Sequence, residues 1–197
     1  MSDLLGNNNA TGPYPGHEAL YQKILLISRT HLSEIFTKAI VLTDKMLSEI
    51  CKQELLDQDR SSIGSDNLEN YKLFKSASNT LEINFKYAIE QRFLEFKKQL
   101  NYKSTATVKL QLIDMNDMED VVISELIAEA ILRKFATPIG ITNRRFCTLF
   151  GLQEPCLNKT PLTEKSLIDF LRVALQELEL PSKVCALIYR NYEVVLF

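Results

Sequence analysis

Catalysis or metal binding in this chain would have to be built from two histidines, four cysteines, a short acidic run and one pair of adjacent arginines. His17 and His31 supply too little material for a His-dependent triad or a multi-histidine metal site. Cys51, Cys147, Cys156 and Cys185 are scattered, with no two-residue gap of the zinc or redox kind. They read as reduced thiols. Cys51 and Cys185 fall among helical apolar positions and are expected in a core, whereas Cys156 follows Pro155 in a loop with nothing nearby to activate it.

The acidic run Asp114 to Asp120 brings calcium to mind, because Asp114, Asn116 and Glu125 fall on the first, third and twelfth positions of an EF-hand-type loop. The fifth position is Met118, and the sixth is Glu119, where a glycine must turn the chain. The better reading is a helix start: Asp114 or Asn116 as cap, with Asp117, Glu119 and Asp120 complementing the positive end of the helix. None of the six glycines sits in a phosphate-cradling loop after a strand. No carboxylate pair adjoins a glycine-rich or aromatic cleft. The expected catalytic, cofactor-binding and metal-binding residues are therefore none, and an enzyme is not expected.

With 23 basic and 25 acidic residues the formal charge is -2, too small to draw in nucleic acid or acidic lipid over a distance. Arg144 and Arg145, the only adjacent arginines, are a candidate contact for a phosphate or an acidic partner, weighed against an ordinary solvated face.

The elements that must carry these residues are helical. From Glu18 to about Leu56 there is no proline or glycine, and Leu25, Leu32, Ile35, Ala39, Leu42, Met46 and Ile50 step mostly by three and four. Ile24, Ile27, Phe36 and Leu47 widen that stripe, which predicts two packing neighbours. Asp59 to Asn67 gathers turn formers and reads as a loop. A second long helix is predicted from about Leu68 to Leu100, with Tyr71, Phe74, Ala77, Leu81, Phe85, Ala88, Ile89, Phe93, Phe96 and Leu100 on one broad face. Those aromatics alternate with Glu82, Glu90 and Glu95, so core packing is expected rather than base stacking. Antiparallel to the first helix, it would make a long hairpin.

Thr105, Thr107, Val108, Leu110 and Leu112 predict an extended connector near 104–113, without a second strand to pair with. The helix after the acidic run carries Val122, Leu126, Ile127, Ala130, Ile131 and Phe135 and is expected to break at Thr137, Pro138 and Gly140. A short helix should open at Thr142, bury Phe146, Leu149 and Phe150, and stop at Gly151 in a left-handed conformation. Thr163 should cap the next helix, which carries Leu167, Phe170, Leu171, Ala174, Leu175 and Leu178. After Pro181 and Ser182 a last helix should carry Val184, Leu187, Ile188, Tyr192 and Val195.

Over Leu110 to Phe197, LQLIDMNDMEDVVISELIAEA and TPLTEKSLIDFLRVALQELELPSKVCALIYRNYEVVL carry the clearest resemblance to a known family. EINFKYAIEQRFLEFKKQL is a weaker match upstream. The chain resembles a bacterial domain of unknown function found in large cytosolic proteins, some of which bear an old thymidine phosphorylase label. The resemblance implies fold and context, and no catalytic or ligand residue is carried over with it. The chain departs from the family pattern at Phe135 to Ile141, where that helix usually continues. The phosphorylase label finds no support in residues that lack a glycine-rich phosphate site.

The expected fold is all-α, a helical bundle built on a long hairpin (18–103) after a mobile lead (1–17) and before a smaller helical part (104–197) that continues in a longer protein. The expected function is a non-enzymatic protein-interaction or regulatory module, whose partner is another protein or the rest of a longer chain, with a homo-oligomer also open. The alternative is a nucleic-acid-binding regulator with a helix-turn-helix-like unit around 142–180, reading through Arg144 and Arg145. After Glu193 come four apolar residues, Val194 to Phe197, without a polar tail, which makes Val195, Leu196 and Phe197 candidate interaction residues. It suggests a fragment or shortened version of a larger protein that self-associates or docks through its last helix. The start of the sequence lacks a basic, apolar signal peptide, and no run of about eighteen apolar residues occurs, so the expected location is cytoplasmic without a membrane span.

Overall fold

The computed structural model describes residues 16–56, 64–101, 118–152, 160–176 and 178–197. They form five helices: α1 (His17–Leu56), α2 (Gly64–Asn101), α3 (Met118–Leu149), α4 (Glu164–Gln176) and α5 (Ser182–Leu196). The fold is all-α. The connector expected near 104–113 and the caps expected at Asp114 or Asn116 lie outside the described residues.

Of the expected lead (1–17), residues 1–15 lie outside the described residues. Gly16, at φ +82, turns the chain into α1 and accepts the Leu20 N–H at 3.2 Å, so His17 is already helical. α1 and α2 run antiparallel, as their partners show: Glu18 pairs with Lys97, Tyr21 with Phe93, Arg29 with Glu90, Phe36 with Phe85, and Asp44 with Lys75. At the far end Asn67 donates to Glu54 and accepts from the Cys51 thiol. α2 thus starts at Gly64, and the last residues of the expected loop form its first turn.

The buried seam of α1 is Tyr21, Leu32, Phe36, Ala39, Ile40, Thr43, Leu47 and Cys51. Leu25, Ile35, Leu42 and Met46 only flank it, while Ile27 and Ile50 face solvent. The reason is that α1 packs against both α2 and α5, so the covered sector is centred between those neighbours. Thr43 sits there at no cost, because its hydroxyl donates to the Ala39 carbonyl at 2.9 Å and accepts from Asn191 of α5 at 3.0 Å.

The aromatic face of α2 is the centre of the bundle. Phe74, Leu81, Phe85, Ala88, Ile89, Phe93 and Phe96 are buried as the spacing predicts. Phe85 stacks on Phe36 with centroids 4.2 Å apart and meets Phe170 of α4 and Tyr192 of α5 edge-on. At the other end of the hairpin, Phe146 and Phe150 close over Phe93, Phe96 and Tyr21.

α3 corrects the expected break. It continues through Pro138 to Leu149, so no separate helix opens at Thr142. Proline removes one intrahelical donor and costs helix stability, but its ring lies on the exposed side. Ile127 and Ile131 before it, and Asn143, Phe146 and Cys147 after it, are buried on both sides of the proline, so tertiary packing holds the helix together. The Thr142 hydroxyl back-bonds to the Pro138 carbonyl four residues before it at 2.8 Å, which does not replace the donor that the proline lacks. The helix ends as expected: Gly151, at φ +64, donates to Thr148 while Leu152 donates to Cys147, the paired bonds of a Schellman cap.

Thr163 caps α4 by accepting the Ser166 N–H at 3.0 Å. Beside it the Thr160 hydroxyl donates to Asn143 at 2.5 Å, so a buried polar knot ties α4 to α3. α3 lies across α4 and α5, and α4 in turn packs on α2.

Candidate interaction surfaces

The residues able to do chemistry are kept apart by this fold. The His31 ring stands on the exposed side of α1, 3.5 Å from Glu34, and His17 packs edge-on against Phe150. Cys51, Cys147 and Cys185 are buried free thiols. Burial pushes the Cys51 thiol up, with Glu54 adding to it, so it is held in its unreactive form. Cys156 lies outside the described residues, as do Asp114 and Asn116. Among the described residues no cluster of three histidine, cysteine or acidic side chains has the arrangement of a metal site. The phenols of Tyr21 and Tyr192 are raised well above the ordinary value by burial, and each donates instead to a carbonyl, of Phe93 and of Leu167. These are structural roles.

Arg144 and Arg145 lie exposed near the end of α3, and among the described residues neither forms an ion pair with an acidic side chain. They belong to the last turns of a long helix that the expected reading helix would have had to begin afresh. Val195 and Leu196 are half-buried against the core. Phe197 keeps 41% of its surface exposed, although its ring meets Phe135 at 5.8 Å and the Lys134 ammonium at 4.7 Å. That ammonium also donates to the Phe197 carbonyl at 2.8 Å, which fastens the end of α5 to the middle of α3. The two candidate groups are not brought together, since Lys134 and Arg144 are roughly 15 Å apart along α3.

A shallow cleft of about 550 Å³ runs between α1 and α2 on the solvent side, lined by Arg29, Thr30, Ser33, Glu34, Thr37, Lys38 and Lys86. Arg29 is bound to Glu90, and Glu34 stands among Lys38 and Lys86, so the cleft carries only a small excess of positive charge. It has the character of a hydrated seam between two helices.

One apolar feature left open among the described residues does not stand out in the sequence. α2 carries a second stripe, opposite in role to its aromatic core face: Leu73 at 40%, Ile83 at 66%, Tyr87 at 57% and Leu94 at 43% exposed. With Glu69, Ser76, Thr80, Gln91 and Lys98, these positions advance by three and four along the helix, the spacing of a packing seam. Leu73, Thr80, Tyr87 and Leu94 recur every seven residues, but so do Phe74, Leu81 and Ala88 of the core face, so the period alone does not mark the stripe as open.

The family description "Protein of unknown function (DUF1631) N-terminal domain" matches residues 16–196, a span that runs from the glycine opening α1 through all five helices. Comparisons with curated proteins and with solved structures give no match.

Proposed function

We propose a role for a chain that belongs to the DUF1631 family as its amino-terminal domain: a non-enzymatic helical docking module that meets a protein partner through the outer stripe of α2. The observation that carries this reading is the contrast within α2. Phe85 is wholly buried, while Ile83 and Tyr87, each two residues away, stand largely in water. One apolar stripe suffices to hold a helix in a bundle, and a second left in solvent marks a contact surface.

Magnitudes limit what the stripe does. Covering four half-exposed side chains contributes about 3 to 6 kcal/mol, against an association cost of about 4 kcal/mol or more. The stripe is therefore an anchor, and a stable complex recruits flanking polar groups as well. The corner formed by Val195, Leu196 and Phe197 is already half covered by Phe135 and Lys134 and offers a smaller anchor. Arg144 and Arg145, exposed on α3, stay a separate candidate contact for an acidic group of a partner.

The free buried thiols fit a reducing compartment such as the cytoplasm. Among the described residues no helix is long and apolar enough to cross a membrane. The test is capture from the native lysate by the chain and by its Ile83→Glu/Tyr87→Glu variant. A partner retained by the first and lost by the second supports the reading, and identical capture profiles contradict it.

A further inference from the structure

The order of residues along the outer stripe of α2 has a symmetry that the bundle itself does not use. Read from one end it runs Glu69, Leu73, Ser76, Thr80, Ile83, Tyr87, Gln91, Leu94, Lys98. Leu73 and Leu94 stand ten and eleven residues to either side of Ile83, Thr80 and Tyr87 three and four, and the two ends carry opposite charges. Glu69 and Lys98 are both exposed, and neither appears in an ion pair with another described residue. We propose that the occupant of this stripe is a second copy of the chain, with α2 lying antiparallel on α2 about a two-fold axis near Ile83. This rests on the docking reading above and names its partner.

Antiparallel pairing sets Leu73 level with Leu94 of the other copy, Thr80 with Tyr87, and Glu69 with Lys98, each contact occurring twice by symmetry. A parallel pair would instead set Glu69 against Glu69 and Lys98 against Lys98, so the charges select the direction. The matched stretch, Glu69 to Lys98, is roughly 43 Å long at the ordinary helical rise, enough for several layers of side chains. A net charge of -2 leaves little repulsion between two copies. Among the described residues, α1 and α4, the helices that pack most on α2, cover its aromatic face and leave this stripe exposed.

The test is sedimentation equilibrium of the full chain over a wide concentration range, beside Ile83→Glu, Glu69→Lys, Lys98→Glu and the double reversal Glu69→Lys/Lys98→Glu. Each substitution is at an exposed position, and circular dichroism checks that each variant keeps its helix content. The expected result is a reversible dimer that Ile83→Glu abolishes. Each single reversal should weaken it about ten-fold, and the double reversal should restore it to within about two-fold. A chain that stays monomeric at every concentration overturns the proposal, as does a dimer indifferent to Ile83→Glu. Single reversals without effect overturn the antiparallel arrangement. A monomeric chain whose lysate partner is still lost on Ile83→Glu/Tyr87→Glu would show that the docking reading holds and this occupant is wrong. A monomeric chain with no such partner would overturn both.

Discussion

Phe85→Ala removes the ring on which three helices besides α2 converge. Phe85 has no exposed surface, stacks on Phe36 at 4.2 Å, and meets Tyr192 and Phe170 edge-on at 5.9 and 6.2 Å. A buried phenylalanine cut to alanine costs about 3 to 5 kcal/mol, depending on how far the site collapses. Here collapse is opposed by helices on three sides, and losing the three ring pairs, each contributing about 0.5 to 1.5 kcal/mol, places the cost near 4 to 5 kcal/mol. For a domain of this size that lowers the melting temperature by about 8 to 18 °C. The assay is urea unfolding followed by helical circular dichroism, with Ile83→Ala as the paired control. Ile83 is 66% exposed, so its truncation should stay within about 0.5 kcal/mol. A Phe85→Ala loss below about 1 kcal/mol, or an Ile83→Ala loss as large, would refute the assignment of inner and outer faces to α2.

Five other outcomes follow from single features. Asn191→Ala removes the donor to Thr43 between α5 and α1 and should destabilise by about 1 to 3 kcal/mol, measured in the same denaturation. Gly151→Ala forces a side chain into the left-handed cap and should cost about 1 to 2 kcal/mol, whereas Gly140→Ala, where a Cβ meets nothing, should stabilise by a few tenths to about 1 kcal/mol. Pro138→Ala should raise stability by about 1 to 3 kcal/mol, since an exposed proline inside a helix is replaced by the best helix former. The Glu18 carboxyl, hydrogen-bonded by Lys97 and Gln22, should titrate below its ordinary value of 4.5 in an NMR experiment and return towards it in Lys97→Met. Its folded-state value being lowered, its contribution is present above the ordinary value and is lost as pH falls through the folded one.

Much of the architecture follows from local rules acting on single residues. Unbroken three-and-four spacing over α1 and α2, the left-handed Gly151 and the hydroxyl of Thr163 each act within one or two turns, so the sequence displays them directly. What lay beyond it involved competition at longer range. Pro138 obeys its local preference only if nothing holds the helix on either side, and Ile131 and Phe146 do. The seam of α1 is centred on Thr43 because α5 brings Asn191 to it, a partner far along the chain. The outer stripe of α2 was hidden for another reason. Leu73, Ile83, Tyr87 and Leu94 are the same residue types, at the same spacing, as the core beside them, and only burial separates the two faces.

The most direct measurement of the central claim is site-specific photo-crosslinking in the native cell, with a photoreactive side chain at Ile83 and, as control, at exposed Glu49 of α1. The account predicts a discrete protein adduct from position 83 that the control lacks, whether the captured chain is a second copy or another protein. Equal, diffuse labelling from both positions would contradict it.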